Sequence, residues 1–249
     1  GAYYHYIYNE KENMGGFFGV VSKEDCVFDL FFGVDYHSHL GTRRAGMAVY
    51  DKEEGFAKAI HKIENSPFRT KFDKEANTMR GCYGIGSISD FEPQPIMVHS
   101  HHGTFAVTTV GKINNADALV EEILKNHSHF FVMSNGNVNP TELVAALIDQ
   151  KENFIDGIRY ALDVIDGSLS VLVLTERGIY AGRDNHGRTP ISIGRKDGAI
   201  CATFESSAFT NLGYSPLREL KPGEIVVFDS EKLHTLSEPE NVRMKICTF

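Results

Sequence analysis

Apolar residues gather along this chain in short runs separated by glycine, proline and small polar residues, and the length and spacing of the runs predict the elements. Residues 17–21, Phe-Phe-Gly-Val-Val, read as a strand. Residues 25–36 follow with Val27, Leu30, Phe31 and Val34 at helical spacing, and Ser22 or Asp25 stands where a cap is needed. Further strands are expected at 45–50, 56–61, 84–88, 95–99 and 105–110, each about 4–6 residues long as strands usually are. Two helices should come next, at 115–125 and 141–150. The second is announced by Asn139-Pro140-Thr141-Glu142, a capping residue ahead of proline at the first helical position. A third helix, 154–164, ends at Asp166-Gly167; residues 169–174 and 178–181 then form a hairpin across Glu176-Arg177-Gly178. Residues 191–193, 199–203 and 224–228 continue the β pattern.

The order is strands, a helical block, then strands again, without regular β-α-β alternation. That excludes a Rossmann or barrel architecture and predicts an α+β fold with helices outside largely antiparallel sheets. No repeat, low-complexity stretch or linker interrupts residues 15–249, so one domain is expected there. Residues 1–14 stand apart as a leader or tail: four of the first eight are tyrosine, and the polar run Asn9-Glu-Lys-Glu-Asn13 follows.

Composition narrows the partners. The chain has 249 residues and a formal net charge of −8, so its averaged field repels polyanions and disfavours nucleic acid or an anionic membrane as a partner. No apolar run approaches the roughly 20 residues that span a bilayer, and the first residues lack the basic and small-residue marks of a secretory signal, so a cytoplasmic setting is expected. Cys26, Cys82, Cys201 and Cys247 lie far apart with no paired spacing, which reads as free thiols rather than a zinc site or a disulfide framework.

Two sets of residues carry a resemblance. The first is Met14-Gly15-Gly16-Phe17-Phe18-Gly19-Val20. The second is four ordered segments: Gly167-Ser-Leu-Ser-Val-Leu-Val-Leu-Thr175, Tyr180-Ala-Gly-Arg-Asp-Asn-His-Gly-Arg-Thr-Pro190, Ala202-Thr-Phe-Glu-Ser206 and Lys221-Pro-Gly-Glu-Ile225. Together they resemble class II glutamine amidotransferases, and specifically the glutaminase domain of glutamine phosphoribosylpyrophosphate amidotransferases. The resemblance implies the four-layer αββα sandwich of N-terminal nucleophile hydrolases. It also implies that 244–249 is the strand leading into a phosphoribosyltransferase domain.

The departures from the family pattern fall on the reaction. Family members begin their mature chain with a cysteine whose thiol attacks the glutamine amide while its free α-amine acts as base; Gly15 stands there instead and offers no atom able to form the thioester. Its nitrogen is a peptide nitrogen, bonded to Met14. The arginine that grips the glutamine carboxylate corresponds to Ser89, in Gly86-Ser-Ile-Ser-Asp90. The Asn-Gly oxyanion hole corresponds to Val110-Gly111, where Val110 has no side-chain donor; losing one such donor costs about 10²–10³ in rate. The aspartate that holds the α-amine corresponds to Pro140, and the His-Arg-Gly-Gln segment becomes His39-Leu-Gly-Thr42. Arg43 and Arg44 follow as candidate anion contacts. A single change at Gly15 does not account for the others.

The remaining clusters favour structural readings. His99-Ser-His-His102 gathers imidazoles without a carboxylate at ligand spacing, so no metal ligand is assigned; His37-Ser-His39 and His127-Ser-His129 read as polar side chains facing solvent. Residues 183–188 resemble a structural loop of the family, expected to hold buried ion pairs. Gly15-Gly16-x-x-Gly19 lacks the following lysine of a phosphate loop. The expectation is therefore an amidotransferase domain without glutaminase activity or cofactor, with a structural or regulatory role toward a phosphoribosyltransferase domain or subunit, and with homo-oligomerisation open. Two alternatives stay open: an authentic glutamine-dependent amidophosphoribosyltransferase of purine nucleotide synthesis, and a binding module whose vacated pocket takes another small ligand.

Overall fold

The computed structural model describes residues 15–237 except Thr42, Phe91, residues 127–130 and Asn135. The leader, His127 and His129, Cys247 and the expected closing strand at 244–249 lie outside the described residues. In chain order the elements are β1 Gly15–Ser22, α1 Val27–Tyr36, β2 Arg44–Asp51, β3 Gly55–Lys62, α2 Phe68–Lys71, α3 Asp73–Thr78, β4 Tyr83–Ser89, β5 Ile96–Ser100 and β6 Gly103–Ile113. They continue as α4 Ala116–Asn126, β7 Met133–Ser134, β8 Asn137–Val138, α5 Pro140–Asp149, α6 Phe154–Val164, β9 Gly167–Thr175, β10 Gly178–Gly182, β11 Ser192–Lys196, β12 Ala199–Thr203, α7 Ala208–Leu212, β13 Ser215–Glu219, β14 Ile225–Phe228 and β15 Leu233–Ser237.

Two antiparallel sheets stack between helices. One has the order β13-β11-β12-β1-β4-β2-β3 and the other β15-β14-β10-β9-β6-β5. The central strands explain why the expected apolar runs do not alternate. Along β1, Phe18 and Val20 pack outward against Val27, Leu30 and Val34 of α1, while Phe17 and Val21 enter the space between the sheets. Along β9, Leu169, Val171 and Val173 pack outward on Leu143, Val144, Leu147 and Ile158 of α5 and α6, while Leu172 and Leu174 face Phe17 and Ile85. Strands covered on both faces read as continuous hydrophobic runs. The result is the four-layer αββα arrangement. No described helix is long and apolar enough to cross a membrane.

The helix starts are chemically specified. The Asn139 Oδ1 accepts from the Thr141 amide at 2.9 Å with Pro140 at the first helical position, and the Asn153 Oδ1 accepts from the Asp156 amide at 2.8 Å. Asp25 serves α1, its carboxylate accepting from the Val27 amide at 2.9 Å. Two edge strands, β13 and β15, and the short helices α2, α3 and α7 were not expected from the sequence.

Candidate functional site

Gly15 opens β1 and pairs with Ser89, the last residue of β4; Ser89 pairs on its other side with Arg44, the first residue of β2. The three positions therefore form one row across three strands. Residues directly opposite one another in antiparallel strands share a face, and Phe17, two positions after Gly15, packs between the sheets. The row thus faces the inter-sheet space at its edge. Ser89 is buried, and its hydroxyl is committed, donating to the Glu92 carbonyl at 2.6 Å. Arg43 is exposed and Arg44 half-buried.

Behind this row lies a histidine that the sequence reading assigned to the surface. His37 is fully buried. Its Nδ1 donates to the Gly33 carbonyl at 2.7 Å, and its Nε2 accepts from the Glu205 amide at 3.1 Å and lies 3.2 Å from the Thr203 Oγ1. Burial, partly opposed by the Gly33 hydrogen bond, lowers its pKa to about 4, so the ring is neutral at pH 7. It packs against β1 so closely that a Cβ on Gly16 would lie 2.9 Å from His37 Cδ2. The apolar stripe of α1, continued one turn past Val34, was the available signal. Its neighbour His39 is exposed and pairs with Glu205.

The other three expected positions lie on the second sheet and its helix. Val110 is buried between the sheets with Phe17 and Ile85. Gly111 follows at φ +148, where a Cβ would lie 2.1 Å from the Ser168 carbonyl oxygen. Its retention therefore follows from the close β6–β9 approach, with no catalytic need. Pro140 is tied to the same region because the Thr109 and Thr141 hydroxyls are 2.9 Å apart.

Gln94, which sequence reasoning passed over, joins the two groups. Its Oε1 accepts from the Thr108 hydroxyl and the Thr109 amide, both at 2.8 Å, and its Nε2 donates to the Thr109 carbonyl at 3.2 Å. One residue earlier, the Pro93 carbonyl accepts from Asn139 Nδ2 at 2.8 Å. The segment that leaves Ser89 thus runs to the 109–111 strand and to the start of α5. Within it, burial raises the pKa of Glu92. These polar groups bond one another, except that the buried Ser87 hydroxyl, two residues before Ser89 and opposite Phe17, has no hydrogen-bond partner among the described residues. None of them is a thiol.

A glutamine amidotransferase domain family matches residues 85–211, just over half of the chain. The chain belongs to the glutamine amidotransferase domain family. An amidophosphoribosyltransferase of Bacillus subtilis is 27% identical over 245 residues, covering 94% of this chain and 50% of that protein. The solved glutamine phosphoribosylpyrophosphate amidotransferase from B. subtilis, complexed with ADP and GMP, superposes with a TM-score of 0.76 at 26% identity, over 88% of this chain and 48% of that one. A structure titled as the allosteric regulatory enzyme of purine biosynthesis gives 0.78 at 25% identity, over 88% and 48%. The amidotransferase chain described here spans about half the length of the curated relatives it matches. The class II amidotransferase resemblance and the αββα expectation hold.

Other expectations need correction. The loop 183–188 of this amidotransferase domain is structural, but its buried Asp184 is held by amides: Oδ1 accepts from Leu169 at 3.1 Å and Oδ2 from Arg188 at 2.8 Å. Arg183 donates to the carbonyls of Leu220 and Gly187 and, itself largely buried, pairs with the exposed Glu219 at 3.5 Å. His99 stands apart from the other two histidines of its run. It is the penultimate residue of β5, its Nδ1 2.8 Å from Thr104 Oγ1, whereas His101 and His102 occupy the following turn, where Asp149 approaches them. Of the described cysteines, Cys26 and Cys201 are buried on the α1 side, where burial pushes their thiols well up, and Cys82 precedes the end of β4 remote from Ser89.

Proposed function

We propose that this amidotransferase domain does not hydrolyse glutamine and serves an architectural or regulatory role toward a phosphoribosyltransferase domain or subunit. One observation carries the reading. Gly15, at the position of the nucleophile, is the terminal rung of a three-strand row in which its neighbour is Ser89 rather than an arginine. The described thiols lie elsewhere. At Val110 and Pro140 the oxyanion donor and the ammonium partner are likewise missing. What persists is scaffold: Gly111 for strand approach, Asn139 for the helix start, Gln94 for the buried polar link.

The partner follows from the relatives, which are named amidophosphoribosyltransferases and are about twice as long as the matched region. One solved neighbour is titled an enzyme of purine biosynthesis, and purine nucleotide synthesis is the process we propose for this domain. Arg44 leaves the sheet on the Ser89 side and, with Arg43, is the proposed contact for an anion. Ammonia release from glutamine by the purified protein tests the central claim. The expected rate equals that of buffer; turnover that scales with protein through successive purification steps would establish the authentic enzyme instead.

A further inference from the structure

The turn between β5 and β6 holds two imidazoles together. The ring centroids of His101 and His102 are 3.9 Å apart, and the ring of His102 lies 4.8 Å from that of Phe154. Asp149, the last residue of α5, comes up to them from the outer helical layer. One nitrogen from each histidine and a carboxylate oxygen all lie within 4.8 Å of one another.

The hydrogen bonding at this cluster is incomplete. His101 Nε2 lies 3.2 Å from the Lys151 carbonyl oxygen; a carbonyl only accepts, so Nε2 carries a proton. Nδ1 then faces Asp149 Oδ1 at 3.2 Å. That contact lacks hydrogen-bond geometry, since the enclosed Asp149 Oδ1 has no hydrogen-bond partner among the described residues. In the neutral ring, two lone pairs oppose each other there unless a positive charge lies between them. His102 Nε2 is likewise enclosed and without a hydrogen-bond partner among the described residues. Enclosed polar atoms left unsatisfied are costly.

We propose that His101, His102 and Asp149 bind a divalent transition-metal ion of the zinc class, which fastens the β5–β6 turn to the end of α5. Zinc takes nitrogen and oxygen ligands at about 2.0–2.2 Å, which sets tetrahedral ligand atoms about 3.3 Å apart. The His101–Asp149 separation already has that value, and rotation of the side chains brings in His102. Two imidazoles with one carboxylate suit zinc, nickel or copper better than magnesium or calcium. The His101 bond to the Lys151 carbonyl is the outer contact that orients a metal-binding histidine. Exposure of His101 leaves a fourth position for water.

The test uses the full chain stripped with a chelator and titrated with zinc chloride in a calorimeter, with cobalt(II) absorption as a second readout. One ion per chain is expected, with visible bands of tetrahedral cobalt. Asp149→Asn and His102→Gln should each weaken binding about tenfold or more, while His186→Gln leaves it intact. Circular dichroism confirms that each variant is folded. Absence of binding, or binding that survives His101→Gln/His102→Gln/Asp149→Asn, would overturn the assignment; a proton would then be the charge between His101 and Asp149.

Discussion

Gly15 lies directly across the β1–β4 ladder from Ser89. A Cβ at Gly15 would sit 3.1 Å from the Ile88 carbonyl oxygen, close enough to require a shift of a few tenths of an ångström but no rebuilding. Gly15→Cys in a chain cut to begin at that residue should therefore fold. It should still release no ammonia from glutamine, because Ser89 cannot grip the carboxylate, Val110 offers no donor and Pro140 no counter-ion. Restored turnover from that single change, read by coupled glutamate dehydrogenase assay, would show that only the nucleophile is missing.

His37 makes stability depend on pH in a definite direction. Its folded pKa is about 4 against an ordinary 6.5, so between those values the unfolded chain binds the extra proton. The contribution is complete above pH 6.5 and is lost as pH falls toward 4. A shift of this size corresponds to about 3 kcal/mol. Urea unfolding of wild type across pH 7 to 4 should show that loss. His37→Gln should be less stable at pH 7, where the Gly33 and Glu205 bonds are disturbed, and show a flatter pH profile. Equal slopes for the two proteins would place the acid sensitivity elsewhere.

Gly111 gives the sharpest separation of scaffold from chemistry. Gly111→Ala forces a Cβ to 2.1 Å from the Ser168 carbonyl at a φ of +148, so the β6–β9 ladder must open. The expected cost is more than about 4 kcal/mol, in the range reserved for core disruption. Val110→Asn, which restores the family residue, should cost about 1–3 kcal/mol through an amide buried without partners. Thermal melts of the two variants check the order. If Gly111→Ala melts like wild type, the close approach of the strands is not what retains the glycine.

These cases show what was readable in advance. Strands β1 and β9 are covered on both faces by residues of one chemical kind, so an unbroken apolar run sufficed to place them, and Asn139-Pro140 marked the start of α5 by local chemistry alone. Strands β13 and β15 border the two sheets; half-exposed edges such as Ser-Pro-Leu-Arg-Glu carry little apolar signal and tolerate proline. The candidate positions Gly15, Ser89, Val110 and Pro140 were proposed by comparison with a pattern of reactive residues. The residues packed beside them, His37 and Gln94, and the separate partner of the histidine turn, Asp149, were not, because each acts on a residue distant in sequence: His37 on Glu205, Gln94 on Thr109, Asp149 on His101. No local window contains such pairs.

Arg218 and Glu224 bridge the two sheets and yield the last prediction. The guanidinium, on edge strand β13, meets the buried carboxylate just before β14 through two bonds of 2.7 and 2.5 Å; the Lys221 amide and the Thr235 hydroxyl add 2.9 and 3.2 Å contacts. Burial by itself raises the carboxyl pKa, but the Arg218 bonds and charge outweigh it and the net shift is downward. Arg218→Met keeps the stem and leaves the carboxylate buried with its charge uncompensated. Breaking such a pair costs about 3–5 kcal/mol, which for a chain of this size lowers Tm by about 6–20 °C. The sign with pH follows: a depressed folded pKa gives stability that is present above the unfolded carboxyl value of 4.5 and is lost as pH falls through the folded one. The gap between wild type and Arg218→Met should be full at neutral pH and narrow as pH falls, beginning where the uncompensated carboxyl of the variant takes up a proton, which burial places above the wild-type value. A gap that stays constant as pH falls from 7 to 3 would mean that the arginine does not act through the charge of Glu224.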